Sequence, residues 1–168
     1  AHAEGRQTEA SGTASHAEGQ STIASGDLSH AEGYQTYAEG YGSHAGGFAS
    51  SATGLYSRAT GRNAEAAGTA SFATGYGVVA DQDNSMSIGQ FNALQTEGAL
   101  FIVGNGADAN MRSNAFEVHS SGNAVIHGDA VVEGTVFAGT YDVASTLGSL
   151  VSTVDSLSLI HISEPTRL

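Results

Sequence analysis

The chain has 168 residues, with 23 Gly, 27 Ala, one Pro and no Cys, Trp or Lys. Leu, Ile, Val and Phe number 32 of the 168 against a formal charge of -12, a pairing found in disordered chains when composition alone is considered. Five Arg facing 17 acids exclude a nucleic-acid backbone as partner, and the absence of Cys excludes a disulfide framework, a thiolate zinc site and a Cys nucleophile. The longest apolar run, Ala99 to Val103, is far too short to insert in a bilayer. With Ala1 first and no signal-like stretch, the chain reads as an internal fragment.

Up to Ala80 the only large aliphatic or Phe side chains are Ile23, Leu28, Phe48, Leu55, Phe72, Val78 and Val79, too few for an ordinary core. The order lies in the spacing. Gly5, Gly12, Gly19, Gly26, Gly33, Gly40, Gly47, Gly54, Gly61, Gly68 and Gly75 recur every seven residues. Two residues before each stands Ala: Ala3, Ala10, Ala17, Ala24, Ala31, Ala38, Ala45, Ala52, Ala59, Ala66 and Ala73. Four before each is Ser, Thr or Ala.

A coiled coil would carry Gly in helix interiors at about 1 kcal/mol each, without large a/d residues to offset them, and collagen needs Gly every third residue. The pattern fits a short strand with the small residues and Gly on one inward face, then a tight turn. Two units make a coil of 14, visible outside in His2, His16, His30 and His44 and in Glu4, Glu18 and Glu32. The intervening units carry Glu9, Ile23, Tyr37, Ser51 and Glu65, so two different sheets stack across a layer of Ala, Ser, Thr and Gly. The expected fold is an all-β, narrow parallel β-solenoid with coils about 4.8 Å apart.

The runs SHAEG (15–19 and 29–33), TIASG (22–26), SHAGG (43–47) and SFATG (71–75) resemble head repeats of trimeric autotransporter adhesins, the YadA-like head family. The resemblance covers residues 1–89, with Ser87, Ile88 and Gly89 as a last echo, and implies a left-handed parallel β-roll assembled as a homotrimer. The SHAEG form is also similar to repeats of phage and prophage tail fibres.

Past Ala80 the heptad register fails at Gln82. Ala99–Val103 is a β-prone run ended by a turn at Gly104–Gly106, and Phe116 and Val118 alternate with polar residues before a turn at Ser120–Asn123. Gly122, Gly128, Gly134 and Gly139 then punctuate a smaller repetitive β element, with Val125, Val131, Val132, Val136 and Phe137 as its apolar side chains. Residues 101–129 resemble a connector that follows SHAEG repeats in phage structural proteins, which tilts the reading of 90–141 toward a tail fibre. Asp142 is placed to cap a short helix over 142–156, with Val143, Leu147, Leu150 and Val154 at a/d spacing as the start of a coiled coil. Residues 157–168 match, from Leu157 to Arg167, the in-frame translation of a transposase-type sequencing adapter, and are set aside from fold reasoning.

Chemistry is sparse. A trimer with His2, Glu4, His16, Glu18, His30, Glu32 and His44 along its axis would stack imidazoles in layers, which raises a metal site, but the copied unit reads as a hydrogen-bonded structural ladder. That sheet turns apolar toward Phe72, Met86 and Ile88, which assigns it to the threefold axis. Asp81, Asp83 and Asn84 lack the Gly and Glu of a calcium loop. Tyr34, Tyr41, Phe48 and Tyr76, each after a repeat Gly, either stack on sugars or cover the narrow edge.

The sequence therefore leads to a non-enzymatic, cofactor-free homotrimeric fibre segment that presents a surface to a cell-surface receptor, glycan or protein, in a phage virion. A bacterial surface adhesin head is the alternative. The stalk of a tailspike enzyme or self-cleaving fibre with its catalytic domain elsewhere is a third reading, and an ice-binding solenoid is disfavoured by the lack of a Thr ladder.

Overall fold

The computed structural model describes residues 1–94, 96–131, 133, 137–138 and 141–142. Two strand lengths alternate along the repeat: β1 (His2–Arg6), β2 (Glu9–Ala10), β3 (His16–Gln20), β4 (Ile23–Ala24), β5 (His30–Tyr34), β6 (Tyr37–Ala38), β7 (His44–Phe48), β8 (Ser51–Ala52), β9 (Arg58–Arg62), β10 (Glu65–Ala66), β11 (Phe72–Tyr76), β12 (Val79–Ala80) and β13 (Met86–Gln90). The odd-numbered strands form one parallel sheet and the even-numbered strands a second. Within each, like pairs with like 14 residues on: His16 with His30, Ala17 with Ala31, Glu18 with Glu32, Ala24 with Ala38. The chain is a parallel β-solenoid, as the double heptad predicts.

The core is the layer of small side chains between the sheets. Ala17, Ala24, Ala31, Ala38, Ala45, Ala52, Ala59, Ala66 and Ala73 have no exposure, and Ser15, Ser29, Ser43, Ser57 and Ser71 stand beside them, nearly all closed from solvent. The Ser hydroxyls lock the corner: Ser15, Ser29 and Ser57 donate at 2.5–2.7 Å to the carbonyls of Gly12, Gly26 and Gly54. Burial per residue is small, so cohesion rests on continuous backbone ladders and close contact.

The repeat glycines do not lie on the inner face as expected from simple alternation. In the long strands they are exposed, apart from the half-buried Gly75, and in the short units they are buried at a corner. In both, the direction a Cβ would take runs along the solenoid into the carbonyl of the next turn, from Gly19 onto Gly33 and from Gly40 onto Gly54. Stacking between coils, rather than sheet-to-sheet thickness, excludes a side chain there.

The two strand lengths also depart from an even seven-residue unit. After Ala24 the amides of Ser25 and Gly26 both point at the carbonyl of Ala38, 3.0 and 3.2 Å away, and the ladder stops after two residues. Each corner then places a residue in the left-handed region, among them Ser21, Leu28, Gln35, Ala49, Tyr56 and Asn63, at φ between 51° and 58°. The amides there bond one coil back, Ser21 to Arg6 and Gln35 to Gln20, which holds a conformation costing about 1–2 kcal/mol per non-Gly residue.

The loss of register at Gln82 does not end the roll. Val79 and Ala80 continue the short sheet, the Gln82 carbonyl accepts the Ser85 hydroxyl at 2.6 Å as repeat glycines do for earlier serines, and β13 pairs with β11. The short sheet stops at β12, and Asn92 supplies what a next strand would. Its side-chain oxygen accepts from Val79 N–H at 2.8 Å and its amide donates to the Val79 carbonyl at 2.9 Å. Asn92 is 1% exposed, so Asn92→Ala leaves the Val79 groups unpaired in a dry site. The expected loss is about 2–3 kcal/mol, read as a lower chemical-denaturation midpoint with an unchanged slope.

The long sheet goes on without a break. β14 (Ala99–Asn105) pairs parallel with β13 at a step of 15 rather than 14, and β15 (Asn114–His119) and β16 (Ala124–Ile126) add antiparallel. The expected turn at Gly104 is therefore two residue pairs too early, because Gly104 and Asn105 still pair with Gly89 and Gln90. From β14 to β16 the chain forms an antiparallel meander, and most of the smaller repetitive element expected from Gly122 to Gly139 lies beyond it. Val125 and Val131 are exposed at 37% and 89%, so they build no core in the single chain.

Ala1–Gly128 is one compact unit and Asp129–Leu168 a second. In the second, β17 (Phe137–Ala138) pairs antiparallel with β18 (Tyr141–Asp142), so Asp142 ends a strand. The helix expected beyond it lies outside the described residues, as do Val132, Gly134, Val136 and Gly139. Among the described residues there is no helix.

Candidate functional site

The outward face of the long sheet carries the ladder. In-register stacking brings His2, His16, His30 and His44 into one column with ring centroids 5.1, 4.9 and 4.8 Å apart. Glu4, Glu18 and Glu32 form the parallel column, because residues two apart on a strand share a face. His2 lies 3.6 Å from Glu4, His16 3.6 Å from Glu18, His30 3.9 Å from Glu18, and His44 3.2 Å from Glu32. The glutamates and the track Gly5, Gly19, Gly33 and Gly47 line a shallow groove of about 470 Å³. Gly46 replaces the next Glu, and a Cβ there would press on the Glu32 side chain at 3.1 Å.

Partial burial and the adjacent His44 hold His30 below the ordinary imidazole value, against the upward pull of Glu32. The expected hydrogen-bonded ladder is therefore incomplete. Glu32 is engaged by His44, and His30 Nε2 is buried with no hydrogen-bond partner.

Farther along, the same two columns continue as Arg58, Phe72, Met86 and Phe101, and as Thr60, Thr74, Ile88 and Val103. Phe116 packs its ring against Phe101 at 6.2 Å. One sheet face thus changes from imidazole and carboxylate to aromatic and aliphatic along its length.

The aromatic edge pairs ring with ring. Tyr34 and Phe48 stack on one another at 5.2 Å and 13°, Tyr41 meets Tyr56 edge-on at 5.4 Å, and Tyr76 leans on Phe91 at 4.6 Å. Arg62 fills the gap in the column, its guanidinium 4.7 Å from the Tyr76 ring and 5.8 Å from Phe48. The rings thus pack on each other and on a cation while Tyr34, Tyr41, Phe48 and Tyr76 keep 37–45% of their surface exposed. Asp83 likewise has a structural task, accepting the Thr69 amide at 2.8 Å as Asp27 accepts that of Thr13 at 2.7 Å.

A second cluster went unread in the sequence. The β15–β16 hairpin folds His127 back to Glu117, whose Oε1 is 2.8 Å from His127 Nε2 and accepts from Asn114 at 2.7 Å. Its Oε2 is 2.9 Å from His119 Nε2. The signal was present: Glu117 and His119 share a strand face, and the turn at 120–123 returns the chain to them. Glu117 is 6% exposed. Burial pushes its carboxyl up, yet the hydrogen bonds from Asn114, His127 and His119 outweigh it and hold the group below its ordinary value near 4.5. A carboxyl lowered on folding contributes stability that is complete above the ordinary value and lost as pH falls through the lower folded one. Glu117→Gln should remove that part of the acid dependence: stability-versus-pH curves of parent and variant separate above pH 5 and converge in acid.

No protein-family model matches the chain, and no curated protein matches it either. What the fold and the ladders define is a class: a parallel β-solenoid repeat protein with a two-part exposed sheet face.

Proposed function

We propose that this chain is a non-enzymatic segment of a homotrimeric fibre, a left-handed β-roll of the tail-fibre type that holds and presents a cell-attachment surface on a phage virion. The observation that carries the reading is the long sheet's outward face, where Phe72, Met86, Ile88, Phe101, Val103 and Phe116 stand in adjoining rows on a roll too thin to take them inside. Three copies packing these rows about an axis would supply the burial that the Ala core cannot. The repeat runs that resemble YadA-like heads support the same assembly.

Sedimentation equilibrium of the full chain tests the assembly. A mass three times 16.9 kDa is expected, and a monodisperse folded monomer overturns it. Charge reversal at Glu18 and Glu32 should shift that mass if the ladder faces the axis; an unchanged trimer removes the axis assignment. Attachment is tested with fluorescently labelled chain on intact bacterial cells, where saturable binding is expected and its absence across a host panel counts against the role.

A further inference from the structure

Among the described residues, His16, Glu18 and His30 form a group of three whose ligand atoms all lie within 4.8 Å of one another. We propose that these three side chains form a binding site for a divalent transition cation, Zn²⁺ foremost, built within one chain from two successive turns of the solenoid.

The arrangement follows from the repeat. Parallel pairing of β3 on β5 sets His16 directly beside His30, and the strand alternation puts Glu18 on the same face two residues from His16. Glu18 spans both imidazoles, with Oε2 3.6 Å from His16 Nε2 and Oε1 3.9 Å from His30 Nε2. Both separations are too long for hydrogen bonds. The two contacts use different Glu18 oxygens, so side-chain rotation must draw one ligand atom from each residue, now within 4.8 Å of one another, to the roughly 3.4 Å spacing that one tetrahedral ion with bonds of about 2.0–2.2 Å imposes.

Independent of this spacing, His30 Nε2 is buried and without a hydrogen-bond partner, which is costly for a polar atom unless a ligand claims it. Glu32 does not, because it is taken by His44 at 3.2 Å. Two imidazoles and one carboxylate select Zn²⁺, Co²⁺, Ni²⁺ or Cu²⁺ over Ca²⁺ and Mg²⁺, which require oxygen shells. The groove lined by the glutamates gives an entry path on the Glu18 side.

The test is calorimetric titration of tag-free, chelator-stripped full chain with ZnCl₂ at pH 7.5, with sedimentation run alongside so that loss of assembly and loss of metal are read separately. Saturable binding is expected at one ion per chain, and Co²⁺ in its place should give the intense visible bands of a four-coordinate site. His16→Gln, His30→Gln and Glu18→Gln should each weaken Zn²⁺ binding at least tenfold, while His44→Gln changes it less than twofold. All four lie on the outward face, and unchanged far-ultraviolet dichroism certifies the fold. No saturable binding by the parent, or an equal loss in His44→Gln and His30→Gln, overturns the site.

Discussion

Gly40→Ala should destabilise the roll more than any other single methyl addition at a corner position, although Ala is the smallest change available. The added Cβ meets the Gly54 carbonyl of the next turn, backbone against backbone, and neither can move without breaking the ladder on both sides. The expected loss is roughly 4–5 kcal/mol, the upper range for single substitutions and a large part of the stability of a domain this size. Gly33→Ala should be at least as severe, because its φ of +103° adds backbone strain to the same collision with Gly47. Gly128, with nothing within 4 Å of an added Cβ, is the matched control, and Gly128→Ala should be neutral. The measurement is far-ultraviolet dichroism with thermal melting. A Gly40→Ala variant melting within 5 °C of the parent would mean that the coils are not stacked as described.

Ala45→Leu should be the next most damaging change. Ala45 has no exposure and faces the opposite sheet across a single layer of small side chains, so three extra carbons must push the sheets apart. Overpacking a tight core costs about 1–3 kcal/mol, and a repeated layer spreads the displacement to Ala31 and Ala59 above and below, which places this case at or beyond the top of that range. Ala45→Gly, which opens space of one methyl, should cost only about 1 kcal/mol. Urea denaturation distinguishes them: the expected order of midpoints is parent, Ala45→Gly, then Ala45→Leu well below both. The reverse order would show a loosely packed interior.

Val78 illustrates how the layer admits a larger group. It is fully buried in the inner column that otherwise carries Thr22, Thr36 and Ser50, and its neighbour one turn back is the smaller Ala64. Asn92, next in the same series, is polar because the short sheet ends there and its last strand needs partners.

Much of the solenoid was legible because its determinants are local and repeated. A seven-residue period in Gly and Ala excludes helix and collagen, and the 14-residue period of His and Glu fixes register, since a slip of one residue would turn the Ala row outward. The His16–Glu18–His30 trio was legible as a ladder. Its unequal hydrogen bonding was not, because which glutamate each imidazole takes depends on side-chain placement rather than spacing.

Residues 90–128 were read less well for a related reason. Strands at 99–105 and 114–119 have alternation and turn signals, but whether they coil or fold back depends on which edge is free when they form. The long sheet offered its edge at β13, and β14 took it with a one-residue longer step before the chain reversed. Glu117, His119 and His127 meet only through that reversal.

The sequence by itself determined the repeat length, the register and the composition of the inner layer, because each is set by steric rules acting within 14 residues. Only the tertiary structure decided that the glycines answer to the turn above rather than to the facing sheet, that Asn92 closes the short sheet, and that His30 is left without a hydrogen-bond partner. Those outcomes depend on the distance between coils and on competition among neighbouring side chains, quantities that a period in the sequence does not carry.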